Sequence, residues 1–209
     1  MRLQTAIDRV SVERAEEIMQ KIRGCADIVE IGTSLIKDFG LEGSVSVLKR
    51  KFPEQCILAD IKTCDEGEYE FRKAYESGAD IATVMGFSSM ATIRACRNVA
   101  LEKKKEYMID LLEVSGEKIE KLAQEFPEAI FCLHLPSDKK GEGFEEMVHR
   151  EMQNLHGVQK IAVAGSVTFD KLELLKKVGM DIVIVGSAIH KAEDIHAAAK
   201  AFAEEIRRQ

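Results

Sequence analysis

The sequence predicts an α/β fold, a single (β/α)8 TIM barrel spanning residues 1–209. Three observations predict it. Short apolar runs alternate with amphipathic helical stretches along the whole chain, the pattern of a parallel sheet covered by helices. A junction recurs, because Cys25-Ala26-Asp27-Ile28, Gly78-Ala79-Asp80-Ile81 and Gly179-Met180-Asp181-Ile182 each close a helix and enter a strand. The turn after the first strand, Asp8-Arg9-Val10-Ser11, contains no glycine, whereas a doubly wound open sheet normally carries G-x-G-x-x-G there. A repeat of about 26 residues is close to the shortest strand, helix and loop pair, so about eight units fill the chain.

The first strand, Leu3–Ile7, ends at Asp8, and Ser11 caps a helix over Val12–Ile22. Asp27 leads into the strand Ile28–Ile31, followed by a helical pattern at Leu41–Lys51. The third strand, Ile57–Ile61, enters Lys62 and is followed by a helix over Glu68–Ser77. Gly78 sits where a helix end needs positive φ, before the strand Ile81–Val84 and the helix Met90–Leu101. The basic run Lys103-Lys104-Lys105 reads as a solvated helix end rather than a binding patch. The strand Tyr107–Leu111 precedes a helix at Glu117–Gln124, and Ile130–Leu133 precedes one at Phe144–Leu155. The last units pair Ile161–Ala164 with Phe169–Val178 and, after Gly179, Ile182–Val185 with Ala192–Ile206.

Composition excludes several classes. With 209 residues, 45% of them hydrophobic, the chain can build one sizeable core. A net charge of −6 without clustered basic residues predicts no nucleic-acid partner and no membrane-surface partner. No apolar run approaches spanning length and the segment Met1 to Asp8 lacks a signal-peptide core, so a cytoplasmic protein is expected. The five cysteines (Cys25, Cys56, Cys64, Cys96 and Cys132) form no C-x-x-C pair and match no zinc spacing. They read as small buried hydrophobes in a reducing compartment.

Barrel active sites lie at the C-terminal ends of the strands. Those ends read Asp8, Glu30, Asp60 with Lys62, Asp110, His134, Gly165-Ser166 and Gly186-Ser187. Each has an ordinary structural reading: Asp8 as a helix cap, Glu30 as a partner for Lys37, Asp60 with Lys62 as an ion pair, Asp110 bonded to loop amides, His134 as a satisfied histidine. Their gathering on one rim favours a catalytic site. Alternation along a strand would point Asp60 and Lys62 the same way. The glycines at the last two strand ends let backbone amides approach an anion, which predicts a phosphorylated substrate. Several acids with no His/Cys cluster call for a hard cation, Mg²⁺, with Glu30 and Asp60 as its ligands. Lys62 would then supply positive charge where an enediolate develops.

These residues also carry a resemblance. Asp60-x-Lys62-x-x-Asp65 resembles the D-x-K-x-x-D motif of the orotidine 5′-monophosphate decarboxylase superfamily. The nearest branch holds 3-hexulose-6-phosphate synthase and 3-keto-L-gulonate-6-phosphate decarboxylase. Leu3-Gln4-Thr5-Ala6-Ile7-Asp8, Asp27-Ile28-Val29-Glu30-Ile31-Gly32-Thr33 and Gly78-Ala79-Asp80-Ile81-Ala82-Thr83-Val84 are similar to its L-Q-x-A-L-D, D-I-V-E-I-G-T and G-A-D-x-x-T-V segments. Ala162–Gly165 and Val183–Ile189 resemble its phosphate loops, so the resemblance covers nearly the whole chain in order.

The resemblance implies Glu30 and Asp60 as Mg²⁺ ligands and Lys62 as the residue that stabilises a cis-enediolate. It implies Asp8 as a ligand of a substrate hydroxyl, Asp110 as an acidic site residue and His134 as a proton-transfer group. Gly165, Gly186 and Ser187 match the phosphate amides, and Ser166 beside Gly165 is read with them as substrate-binding. Asp65 matches an aspartate that reaches the neighbouring subunit's site, which implies a homodimer. Ser187 and Ser137 stand where the decarboxylase usually carries arginines, which favours the synthase activity, an aldehyde-lyase condensation of formaldehyde with ribulose 5-phosphate. Decarboxylation of 3-keto-L-gulonate 6-phosphate through the same enediolate is the alternative, and a non-catalytic phosphosugar-binding barrel is the alternative of another class. The chain departs from the branch at Glu66-Gly67, at Leu135-Pro136-Ser137-Asp138-Lys139-Lys140-Gly141 and at Gly165-Ser166, all on the substrate-facing rim.

Overall fold

Eight parallel strands close into a barrel in the order β1 to β8, with β8 hydrogen-bonded to β1, in the computed structural model. The structure describes residues 1–140 and 143–208, so Gly141, the last residue of the loop read after the sixth strand, lies outside the described residues. The strands are β1 (Arg2–Ile7), β2 (Ile28–Ile31), β3 (Cys56–Thr63), β4 (Ile81–Met85), β5 (Glu106–Asp110), β6 (Ile130–His134), β7 (Lys160–Ala164) and β8 (Ile182–Val185). The helices are α1 (Val12–Ile22), α2 (Thr33–Leu41), α3 (Val47–Lys51), α4 (Gly67–Glu76), α5 (Met90–Lys103), α6 (Gly116–Glu125), α7 (Phe144–Met152), α8 (Leu172–Lys177), α9 (Ser187–His190) and α10 (Ile195–Arg207).

Strands buried on both faces explain the unbroken apolar runs. Inward-facing Ile28, Leu58, Ile81, Met108, Ile130 and Ile182 fill the barrel as one cluster. Outward-facing Leu3, Ile7, Val29, Ile57, Ile109 and Phe131 join the helices in a second, larger core. Side-chain caps fix three helix starts: Ser11 accepts from the Arg14 amide, Ser89 from Thr92 and Asp194 from Ala197. The basic run ends α5 as expected, with Lys104 in the left-handed conformation and Lys105 paired with Asp80 at 2.6 Å.

Four features differ from the sequence reading. The helix expected at Leu41–Lys51 begins at Thr33, directly after β2, and Gly40 (φ 69°) kinks it before a π-helical turn, Glu42–Ser46, leads into α3. A short helix not expected from sequence, α9, follows β8, and the last helix starts a little later than read, at Ile195, because Asp194 caps it. Cys64 is exposed rather than buried, since it lies beyond the end of β3, where the chain turns into solvent. Finally, β3 does not alternate simply. Its pairing with β4 slips between Ala59 and Thr63, and Lys62 takes a left-handed φ of 48°. A bulge, not regular pleating, aims Lys62.

Candidate active site

The C-terminal strand ends enclose a cavity of about 520 Å³. Asp8, Glu30, Asp60, Lys62 and His134 line it, together with Gly165, Ser166, Gly186 and Ser187. Asp110 lies beneath, in a small recess shared with Lys62 and His134. Asp65 is not brought in. It is exposed beyond β3 and lies outside the cavity of its own chain, because the bulge at Lys62 and the turn after Thr63 carry it outward.

Lys62 is the hub. Its Nζ stands 3.1 Å from Asp60 Oδ2 and 2.9 Å from Asp110 Oδ2. Burial disfavours the ammonium, but Asp60 and Asp110 outweigh it and hold Lys62 well above its ordinary value. The bulge is pinned by Thr83, whose Oγ1 accepts from the Lys62 amide at 2.9 Å and donates to Asp60 Oδ1 at 2.9 Å. Thr33 Oγ1 donates to Asp60 Oδ2 at 2.8 Å. A left-handed lysine is strained, and the hydrogen bonds from its surroundings hold it so.

Asp110 joins Lys62 to His134. His134 Nδ1 lies 2.8 Å from Asp110 Oδ2, and the Leu112 amide donates to Oδ1 at 2.9 Å. Burial opposes the Asp110 charge, yet His134 and Lys62 lower its pKa to about 2. An ionised carboxylate only accepts, so Nδ1 of His134 carries a proton and Nε2 is left for the cavity side.

Glu30 and Asp60 form the candidate cation site. Burial, then the Asp60 charge, push Glu30 up to about 8 against the opposing effects of Gln4 and Lys62. Gln4 Nε2 donates to Glu30 Oε2 at 2.6 Å, in place of the Lys37 pairing considered from sequence. Among the described residues no three Cys, His, Asp or Glu side chains gather as a closed metal cluster. Two buried acids open to a cavity nevertheless suit Mg²⁺, which takes one or two carboxylates and fills its remaining positions with water or substrate oxygen.

Asp8 is fixed by Ser34, whose Oγ donates to Oδ1 at 2.6 Å and whose amide donates at 3.2 Å. Gly32 makes room for it, since a Cβ there would stand 2.2 Å from the Asp8 carboxyl carbon. At the end of β7, Gly165 (φ 99°) packs against the Leu135 carbonyl, which a Cβ would meet at 2.3 Å. The amides of Ser166, Val167 and Ser187 donate to no backbone carbonyl among the described residues.

Sequence reasoning missed Gln4, Thr33, Ser34 and Thr83, although Gln4, Thr33 and Thr83 stood inside quoted motif segments. It also missed Arg9, His190 and Lys191, which line the cavity from the turn after β1 and from the end of α9; Lys140, in the loop already read as rim-facing, lines it too.

The sequence profile described as orotidine 5′-phosphate decarboxylase / HUMPS family matches residues 1–202. The chain belongs to this family. As a family member it is similar to the 3-hexulose-6-phosphate synthase of Bacillus subtilis (strain 168), 36% identical over 200 residues and covering 93% of each chain. Crystal structures give the same picture. A 3-hexulose-6-phosphate synthase from Salmonella typhimurium matches with a TM-score of 0.91 at 28% identity, covering 99% of this chain and 98% of that one. A 3-keto-L-gulonate-6-phosphate decarboxylase from Vibrio cholerae matches with a TM-score of 0.86 at 25% identity, covering 98% and 96%. This family member is an enzyme, a carbon–carbon lyase. Among its described residues no helix is long and apolar enough to cross a membrane.

Proposed function

We propose that the protein is a Mg²⁺-dependent aldehyde-lyase that condenses formaldehyde with ribulose 5-phosphate to give 3-hexulose 6-phosphate. The observation that carries this reading is Lys62 held between Asp60 and Asp110, with His134 on the same carboxylate, at the floor of a cavity whose far-rim amides donate to no backbone carbonyl among the described residues. Its likeness to named 3-hexulose-6-phosphate synthases supports the choice of substrate.

In this reading the rim amides of Ser166, Val167 and Ser187 take the phosphate, and Asp8 takes a sugar hydroxyl. Mg²⁺, bound through Glu30 and Asp60, would supply a Lewis acid toward the ketose oxygens. His134 Nε2 removes the carbon-bound proton beside the carbonyl. The C–H electron pair moves into the enediolate, whose negative charge the Lys62 ammonium offsets at no cost of reorganisation. The enediolate carbon then attacks formaldehyde, and the proton held by His134 passes to the new alkoxide. Asp110 keeps the imidazole oriented for both transfers.

The active unit is a homodimer in which the partner's Asp65 completes each site, consistent with the outward position of Asp65 in one protomer. The setting is cytoplasmic. Purified protein incubated with Mg²⁺, formaldehyde and ribulose 5-phosphate should consume formaldehyde and form a hexulose phosphate. Carbon dioxide release from 3-keto-L-gulonate 6-phosphate, with no formaldehyde consumption, would replace this reading with the decarboxylase one.

A further inference from the structure

Gln4 is polar where the fold calls for an apolar residue. It is fully buried on β1, in register with Ile28 of β2 and Ile184 of β8. The surrounding barrel interior is Ile28, Leu58, Ile81, Met108 and Ile130. A primary amide in such a setting is disfavoured unless its hydrogen bonds are made. Yet its Oε1 has no partner among the described residues, and its hydrogen bond is the 2.6 Å donation from Nε2 to Glu30 Oε2. The amide therefore serves Glu30 rather than the barrel. The bond occupies one carboxylate oxygen and fixes the rotation of the group. It leaves Glu30 Oε1, which no protein donor contacts among the described residues, as the oxygen available to a ligand.

We propose that Gln4 is a positioning residue of the cation site, holding Glu30 Oε2 so that Oε1 is presented to Mg²⁺. This rests on the reading of Glu30 and Asp60 as the ligands. Ligating carboxylates are commonly held by hydrogen-bonding partners, and loss of such a partner costs about 10–100-fold in metal affinity.

Leucine suits the apolar surroundings of Gln4, so Gln4→Leu separates this role from simple space filling. The probes are Mg²⁺ itself, by calorimetry and by its effect on Tm, and Mn²⁺ by electron paramagnetic resonance. Wild type, Gln4→Leu and Glu30→Gln are compared. Gln4→Leu should keep the far-ultraviolet spectrum and a metal-free Tm at or above that of wild type, while binding either cation about 10–100-fold more weakly. If it fails to fold, Gln4→Met, which is unbranched like glutamine, takes its place. Wild-type cation affinity in the folded variant would overturn the proposal and leave the ligand assignment standing. Equal cation affinity in wild type and Glu30→Gln would remove the ligand assignment and this inference with it.

Discussion

Lys62 carries a charge in a place where charge is expensive, and two carboxylates make that tolerable. Removing one member of a buried ion network costs about 3–5 kcal/mol because the remaining charges lose their partner. Lys62→Ala should therefore lower Tm as well as turnover. At temperatures where the variant stays folded, turnover should fall about 10²–10³-fold or more, the usual cost of losing one preorganised electrostatic group. Steady-state assay beside a melting curve checks both, and a folded Lys62→Ala enzyme with full turnover would sink the mechanism. Glu30 makes a second prediction. Its folded pKa of about 8 lies above the ordinary glutamate value, so without metal it destabilises the fold progressively as pH rises from the ordinary carboxylate range through 8. Cation binding must displace its proton. Mg²⁺ should bind more tightly, and raise Tm more, at pH 8.5 than at pH 6.5, which calorimetry at the two pH values tests. A flat profile would count against Glu30 as a ligand.

At the level of elements, the site depends on how strands end rather than on how they run. The bulge in β3 lifts Lys62 beside Asp60, and Thr83 of β4 locks it there. The turn from β2 into α2 leaves Gly32 under the Asp8 carboxylate. Gly32→Ala should push Asp8 off its Ser34 partner. Overpacking of this kind costs about 1–3 kcal/mol, or about 2–12 °C in Tm for a chain of this size, and KM for the sugar phosphate should rise more than kcat falls. Unchanged KM would show that Asp8 does not touch substrate. Ser166 adopts a left-handed φ of 54°, a conformation glycine takes without cost, so this chain carries a small strain on the rim beside Gly165.

At the level of the whole molecule, the barrel supplies every proposed group except Asp65. If the partner's Asp65 completes the site, Asp65→Ala and Lys62→Ala chains, each inactive alone, should restore activity when mixed and allowed to exchange. One intact site forms per mixed dimer, so roughly a quarter of wild-type activity is expected for random pairing in a two-fold dimer. No recovery, or an active monomer by mass in solution, would remove Asp65 from the machinery. The sequence alone determined the barrel, the eight strand positions and the rim on which Asp8, Glu30, Asp60, Asp110 and His134 lie, because apolar runs and helix-ending glycines are local signals that survive without knowledge of contacts. It did not determine how those groups meet. Lys62 reaches Asp110 across 48 positions, His134 reaches the same carboxylate across 24, and Gln4 reaches Glu30 across 26. These contacts exist only once strand register, the β3 bulge and closure of β8 on β1 set the distances. Tertiary structure therefore decided that one lysine is shared by two acids and that a buried amide steadies a third.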